Sequence, residues 1–198
     1  MSTNCGKLEL IIGNMFSGKS TELIRRINRE KSIDKKILVI NYINDNRYSS
    51  DSISTHDNTK IDCIKLLTLD ELNNDLLNKY DSIFIDEGQF FTDIISFVIK
   101  AVDNYHKHVI ISGLAGDYKR DPFGDMIKLI PLCDTIDKLN AYCILCKNGT
   151  EGPFTKKINK NNMSTDTSVD TSVDTSVDTS IDIGGSDKYI SVCRYHYN

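Results

Sequence analysis

Gly13-Asn14-Met15-Phe16-Ser17-Gly18-Lys19-Ser20 is the stretch from which the rest of the chain is read. It follows the apolar run Leu8 to Ile12 and opens the periodic segment Thr21 to Lys31. The spacing G-x-x-x-x-G-K-S therefore falls between a strand and a helix, which is the context a phosphate-binding loop requires. Glycines let the backbone curl around an anion, so that successive N–H groups and the start of the following helix face the phosphates. Lys19 is then placed to reach the β and γ phosphates and Ser20 to supply an oxygen to Mg²⁺. The alternative is a chance match in a Gly/Ser-rich turn.

With 198 residues the chain suits one α/β domain with a small appendage, enough to bury about 70% of its unfolded surface. A formal net charge of −4 argues against a basic face tracking a nucleic-acid backbone, and points to a small-molecule partner. No apolar run approaches the length needed to span a bilayer and the N-terminus lacks a signal-peptide core, so no membrane contact and a cytoplasmic location are expected. In that compartment the six cysteines are reduced, and read as metal ligands or buried thiols before disulfides.

Outward from the loop, Leu23, Ile24 and Ile27 share one helix side, with Arg25, Arg26 and Arg29 on the other. Lys36 to Asn41 is a short β-branched run suited to a strand buried on both faces of a parallel sheet. From Tyr42 to Thr59 the chain is polar and without period, a loop at a strand's carboxyl end, where open α/β sheets hold ligands. Thr68-Leu69-Asp70-Glu71 reads as a capping box opening a helix that carries Leu72, Leu76 and Leu77. Ser82-Ile83-Phe84-Ile85 is a strand ending in Asp86 and Glu87. An acid there, beside a phosphate loop, is the expected Mg²⁺ holder. The neighbouring Glu87 is the candidate to orient or deprotonate whatever attacks the γ-phosphate, water in an ATPase or a hydroxyl in a kinase. Solvated acids ending a strand are the alternative. Thr92 is a candidate cap for a largely buried helix reaching about His106, His108 to Leu114 reads as another central strand, and Ala115 to Phe123 as a polar loop. The apolar stretch Phe123 to Leu132 is read as packed, helical or irregular.

The last third changes character. Cys143-Ile144-Leu145-Cys146 and Cys193-Arg194-Tyr195-His196 offer a C-x-x-C and a C-x-x-H pair, a set that suits a structural Zn²⁺ site with four protein ligands. Tyr142 and Tyr189 suit short β arms beside it. Spare cysteines are the alternative, and a redox motif is disfavoured because no helix pattern follows Cys146. Between the pairs runs a four-residue T-S-V-D repeat, at about 164–182. Its residues are poor helix formers, and its aspartates would stack like charges at i, i+4, so it is read as a solvated insertion.

Several of these stretches also carry a family resemblance. Gly13 to Ser20 resembles the loop G-P-M-F-S-G-K-S of type II thymidine kinases, the cellular and large-DNA-virus class, with Asn14 at the family's proline. Asp45-Asn46-Arg47-Tyr48-Ser49, Thr55-His56-Asp57, Asp86-Glu87-Gly88-Gln89-Phe90-Phe91, Tyr118-Lys119-Arg120, Pro122-Phe123-Gly124 and Gly184-Gly185-Ser186-Asp187-Lys188-Tyr189 resemble family stretches in the same order. The resemblance implies a mostly parallel, P-loop NTPase-like sheet flanked by helices over residues 1–140. It implies a small zinc-binding β-ribbon or lasso over residues 141–198. It also implies transfer of the ATP γ-phosphate to the 5′-hydroxyl of deoxythymidine, with Glu87 as general base. Gly13, Met15, Phe16, Ser17, Gly18, Lys19, Ser20, Asp45, Arg47 and Asp86 would serve the nucleotide and Mg²⁺. Met15, Phe90, Leu114, Tyr118, Thr155 and Tyr189 would line the nucleoside pocket. A homotetramer inhibited by dTTP is implied as well. Two other readings compete: a P-loop ATPase coupled to a conformational change, and a zinc ribbon binding nucleic acid beside a nucleotide switch.

Overall fold

The computed structural model describes residues 5–45, 52–54, 60–158, 185 and 187–198. Arg47 and the T-S-V-D repeat lie outside the described residues, as do Thr55-His56-Asp57. A six-stranded sheet organises the molecule: β1 (Lys7–Gly13), β2 (Ile37–Tyr42), β5 (Ile64–Leu66), β6 (Ser82–Ile85), β7 (His108–Gly113) and β8 (Thr135–Leu139). They lie in the order β5-β2-β6-β7-β1-β8, with every neighbouring pair parallel. Parallel sheets need both faces covered, and the strand sequences meet that need by alternation. Leu8, Leu10 and Ile12 join Leu38, Ile40, Ile83, Ile85, Val109 and Ile111 on one face. Ile11, Val39, Phe84 and Ile110 form the other, against Leu23, Ile24 and Ile27 of α1 (Lys19–Lys31).

The first face is covered by Phe91, by α3 (Ile94–Val98) with the π-helical turn Ile99–Asn104 that continues it, and by Met126 and Leu129. The helix expected from a Thr92 cap starts instead after Asp93, and Ile99 is exposed where its backbone widens. The stretch Met126–Leu132 is a 3₁₀ helix. Three residues per turn align Met126 and Leu129 inward and leave Ile127 and Ile130 exposed, while Leu132, on the inward register at the helix end, is exposed as well.

Two further expectations are corrected, and one strand was not foreseen. The Thr68 capping box closes only one 3₁₀ turn, Leu69–Glu71, because Leu72 returns to extended backbone. The helix itself, α2 (Asn74–Lys79), begins after Asn73, whose side chain accepts from the Leu76 N–H. The loop after β2 contains an antiparallel hairpin, β3 (Ser52–Ser54) with β4 (Lys60–Asp62). Finally, β8 has no apolar run to announce it. It is a largely exposed edge strand, and edge strands carry charge against further pairing.

Beyond β8 the chain leaves the sheet. The pair β9 (Ala141–Tyr142) with β10 (Glu151–Gly152) and the pair β11 (Phe154–Lys157) with β12 (Tyr189–Val192) are both antiparallel. With α4 (Arg194–Tyr197) they surround a separate small core of Cys143, Val192 and Cys193, flanked by Cys146, Phe154, Ile190 and Tyr197.

Candidate active site

The phosphate loop is shaped by backbone conformation. A Cβ on Gly13 would lie 2.5 Å from the Leu139 carbonyl oxygen and from Ser17 Oγ, so only glycine fits. Phe16 and Gly18 adopt φ of 66° and 83°, the left-handed turns that gather successive N–H groups into an anion-binding concavity. Helix α1 starts without a side-chain cap, leaving its first-turn N–H groups to the loop side. Lys19 is buried, its Nζ donating to the Asn14 carbonyl at 2.8 Å, and Ser20 Oγ donates to Asp86 Oδ2 at 2.9 Å. The motif's hydroxyl thus meets the acid at the end of β6, although β6 and β1 are separated in the sheet by β7.

Asp86 is 4% exposed and accepts from three donors: Ser20 Oγ, Ser112 Oγ and the Glu87 N–H. Burial, followed by the neighbouring Glu87 carboxylate, pushes its pKa up to about 6 against the lowering effect of Ser112, Ser20 and Lys19. Ser112 was not among the sequence candidates. Its signal is a hydroxyl interrupting the apolar run of β7 one residue before Gly113.

Glu87 stands in the left-handed region, φ 55° and ψ 41°, a conformation costing a non-glycine residue roughly 1–3 kcal/mol and typical of functional turns. It is 8% exposed, and its Oε2 accepts from Gln89 Nε2. The other end of that carboxamide, Gln89 Oε1, accepts from the Leu114 N–H at 2.9 Å. One buried side chain thus ties the candidate base to the candidate pocket residue on the loop after β7. Neighbouring backbones fit tightly: Cβ atoms added at Gly113 and Gly124 would come within 2.7 Å of Gln89 Oε1 and 2.1 Å of the Gln89 carbonyl oxygen. Gln89 too went unread in the sequence, since nothing local shows that an amide at that position spans two partners.

The candidate nucleoside-pocket residues fall into contacting groups. Phe90 stacks on Tyr42 with centroids 5.0 Å apart and meets Phe123 edge-on at 5.5 Å. Tyr118 faces Tyr189 at 6.2 Å, and its carbonyl accepts from Tyr197 Oη at 2.8 Å. Thr155 Oγ1 accepts from the Met15 N–H at 3.1 Å, joining the phosphate loop to β11. Asp45 is buried after β2, with Asn41 Nδ2 3.3 Å from its carboxylate and Lys65 Nζ donating to its carbonyl.

Cys143, Cys146, Cys193 and His196 converge with ligand atoms within 4.8 Å of one another. His196 Nδ1 lies 3.4 Å from the sulfurs of Cys143 and Cys146 and 3.3 Å from Cys193, and the Cys146 and Cys193 sulfurs are 3.8 Å apart. A tetrahedron with Zn–S and Zn–N bonds of ordinary length has S···S and S···N edges of about 3.8 Å and about 3.5 Å, so the residues fit that metal. Burial raises the Cys143 thiol pKa, but N–H groups of Cys193, Cys146 and Leu145 outweigh it and bring the thiol down to about 6. Burial and the Cys143 and Cys193 sulfurs push the neighbouring Cys146 up to about 11, so Cys143 is the readier thiolate of the two.

Comparison with known proteins bears on both parts. A family model described as thymidine kinase matches residues 6–197. The chain is 40% identical over 197 residues to a thymidine kinase of Oryza sativa subsp. japonica, covering 97% of this chain and 66% of that one. It is 40% identical over 192 residues to the thymidine kinase of Sheeppox virus (strain KS-1), covering 97% of each. Against the cytosolic thymidine kinase of Homo sapiens it is 40% identical over 192 residues, covering 97% of this chain and 73% of that one.

Proposed function

The chain belongs to the thymidine kinase family, and we propose from that premise that it transfers the γ-phosphate of ATP to the 5′-hydroxyl of deoxythymidine, giving dTMP. The observation that carries this reading is the carboxylate pair at the end of β6. Asp86 is bonded to Ser20 of the phosphate loop, while Glu87 turns away into the Gln89 bridge toward Leu114.

In this reading the backbone N–H groups of residues 13–20 and Lys19 hold the triphosphate. Ser20 and Asp86 would hold Mg²⁺, which when bound supplies charge neutralisation at the β and γ phosphates. Asp45 and Arg47 add to the phosphate site. Glu87 accepts the proton of the 5′-hydroxyl as the oxygen attacks phosphorus, a contribution worth about 10²–10⁴-fold in rate. Gln89 fixes the carboxylate so that it does not swing toward Asp86. Met15, Phe90, Leu114, Tyr118, Thr155 and Tyr189 enclose the base and exclude water, which favours transfer over hydrolysis.

Residues 1–140 form the nucleotide-binding unit and residues 141–198 the lasso, with its insertion at about 164–182. Four protein ligands leave zinc no open position, so the metal's part is structural. A cytoplasmic homotetramer with dTTP as feedback inhibitor completes the proposal. The test is to incubate the protein with Mg-ATP and a panel of nucleosides. Thymidine-dependent dTMP with matching ADP is expected, and ADP release indifferent to nucleoside would overturn the reading.

A further inference from the structure

Asn14 lies inside the phosphate loop, yet its side chain points at the other half of the molecule. It is 8% exposed. Its Nδ2 donates to the Gly152 carbonyl at 2.9 Å, and its Oδ1 accepts from the Ala141 N–H at 3.3 Å. Ala141 and Gly152 are register partners in the β9–β10 pair, so one carboxamide clasps both strands where they cross the loop. The main chain of the same residue faces the phosphate site, its carbonyl accepting from Lys19 Nζ. The next residue repeats the arrangement, with the Met15 N–H bonded to Thr155 Oγ1. Ala141 leads directly into Cys143, whose N–H donates to the Thr150 carbonyl at 2.8 Å, and Gly152 sits so close that a Cβ would lie 2.8 Å from the Cys143 nitrogen.

A buried amide whose donor and acceptor are both used has little freedom to move alone, since an unmade buried bond carries the full desolvation cost of the group. Movement of the β9–β10 pair therefore moves Asn14, and with it the carbonyl that holds Lys19. We propose that Asn14 is a positioning residue coupling occupancy of the nucleoside pocket to the set of Lys19 in the phosphate loop, an inference that rests on the kinase reading above. The base would bind between Tyr118, Tyr189 and Thr155, of which Thr155, on β11, follows the clasped β10 in the chain and Tyr189 lies on β12, paired with the same β11. Closure there settles the loop for the triphosphate, and by linkage the triphosphate tightens the nucleoside equally.

The test measures affinity for a non-hydrolysable ATP analogue with Mg²⁺, with and without saturating thymidine, in the wild type, Asn14→Ala and Asn14→Asp. In the wild type thymidine should tighten the analogue by roughly 5- to 150-fold, the usual range of site-to-site coupling. In Asn14→Ala each ligand should still bind alone, the coupling should fall below about 2-fold, and kcat should fall more than either KM. Asn14→Asp keeps an acceptor for Ala141 and loses the donor to Gly152. It should also lose most of the coupling, and it carries the test if the alanine variant does not fold. Coupling retained in a folded variant, or absent from an active wild type, overturns the proposal. A wild type that makes no dTMP refutes the kinase reading instead.

Discussion

Asp86→Asn should change how the protein's stability depends on pH, by an amount the site itself sets. In the unfolded chain Asp86 titrates at its ordinary value of 3.8, whereas burial and the adjacent Glu87 carboxylate raise it to about 6 in the fold. Between those values the native state binds a proton that the unfolded state has released, so this group's stabilisation is fully present below the lower value. It is lost as pH rises through the upper one. The shift of about two units corresponds to about 3 kcal/mol, at 1.36 kcal/mol per unit. The assay is urea unfolding of the ligand-free, Mg²⁺-free protein at intervals from pH 4 to 7, comparing wild type with Asp86→Asn. Titrating groups that do not interact with Asp86 cancel in the difference, and the readout reports the Asp86–Glu87 pair as a unit. With an m-value of about 2 kcal/mol/M, the gap between the two midpoints should move by about 1.5 M in favour of the variant as pH rises. A difference that stays within about 0.5 kcal/mol, or that moves the other way, would refute the claim that Asp86 is held at high cost next to Glu87.

Three further outcomes are expected. Glu87→Gln should retain binding of the ATP analogue and lose about 10²–10⁴-fold in kcat, and near-normal turnover would remove Glu87 as base. Cys143→Ser should yield protein without bound zinc by elemental analysis and with the fold of residues 141–198 lost to limited proteolysis, because structural zinc contributes on the order of 10 kcal/mol. A zinc-free wild type with an intact lasso would count against the site. Gly124→Ala, which forces a methyl within 2.1 Å of the Gln89 carbonyl at a φ of 56°, should cost roughly 1–2 kcal/mol in backbone strain alone. It should also lower kcat by shifting the Gln89 bridge. Unchanged kcat and unfolding midpoint would show that the loop yields freely.

How much was legible depended on whether the signal was local. Leu8 to Ser20 could be read because an apolar strand, two glycines, a lysine and a hydroxyl lie within one turn of chain. The β6 acids and the C-x-x-C and C-x-x-H pairs are equally compact. The edge strand β8 was missed because its side chains face solvent and carry no period against a core. The capping box at Thr68 misled because its local hydrogen bonds formed as expected, while the backbone at Leu72 turned extended and buried that side chain under the sheet.

The sequence by itself determined the chemistry available: a loop that cradles phosphate, a pair of carboxylates at a strand end, four soft metal donors, and apolar runs that must become a covered parallel sheet. Those follow from composition and short-range spacing. Only the tertiary structure decided which groups share one site. Strand order inserted β7 between β1 and β6, which brought Ser112 onto Asp86, and the passage of residues 141–155 over the loop gave Asn14 and Met15 their partners. The reason is physical: a buried polar side chain is satisfied by whichever donor or acceptor packing delivers, and that partner can lie, as Gly152 does, 138 residues away.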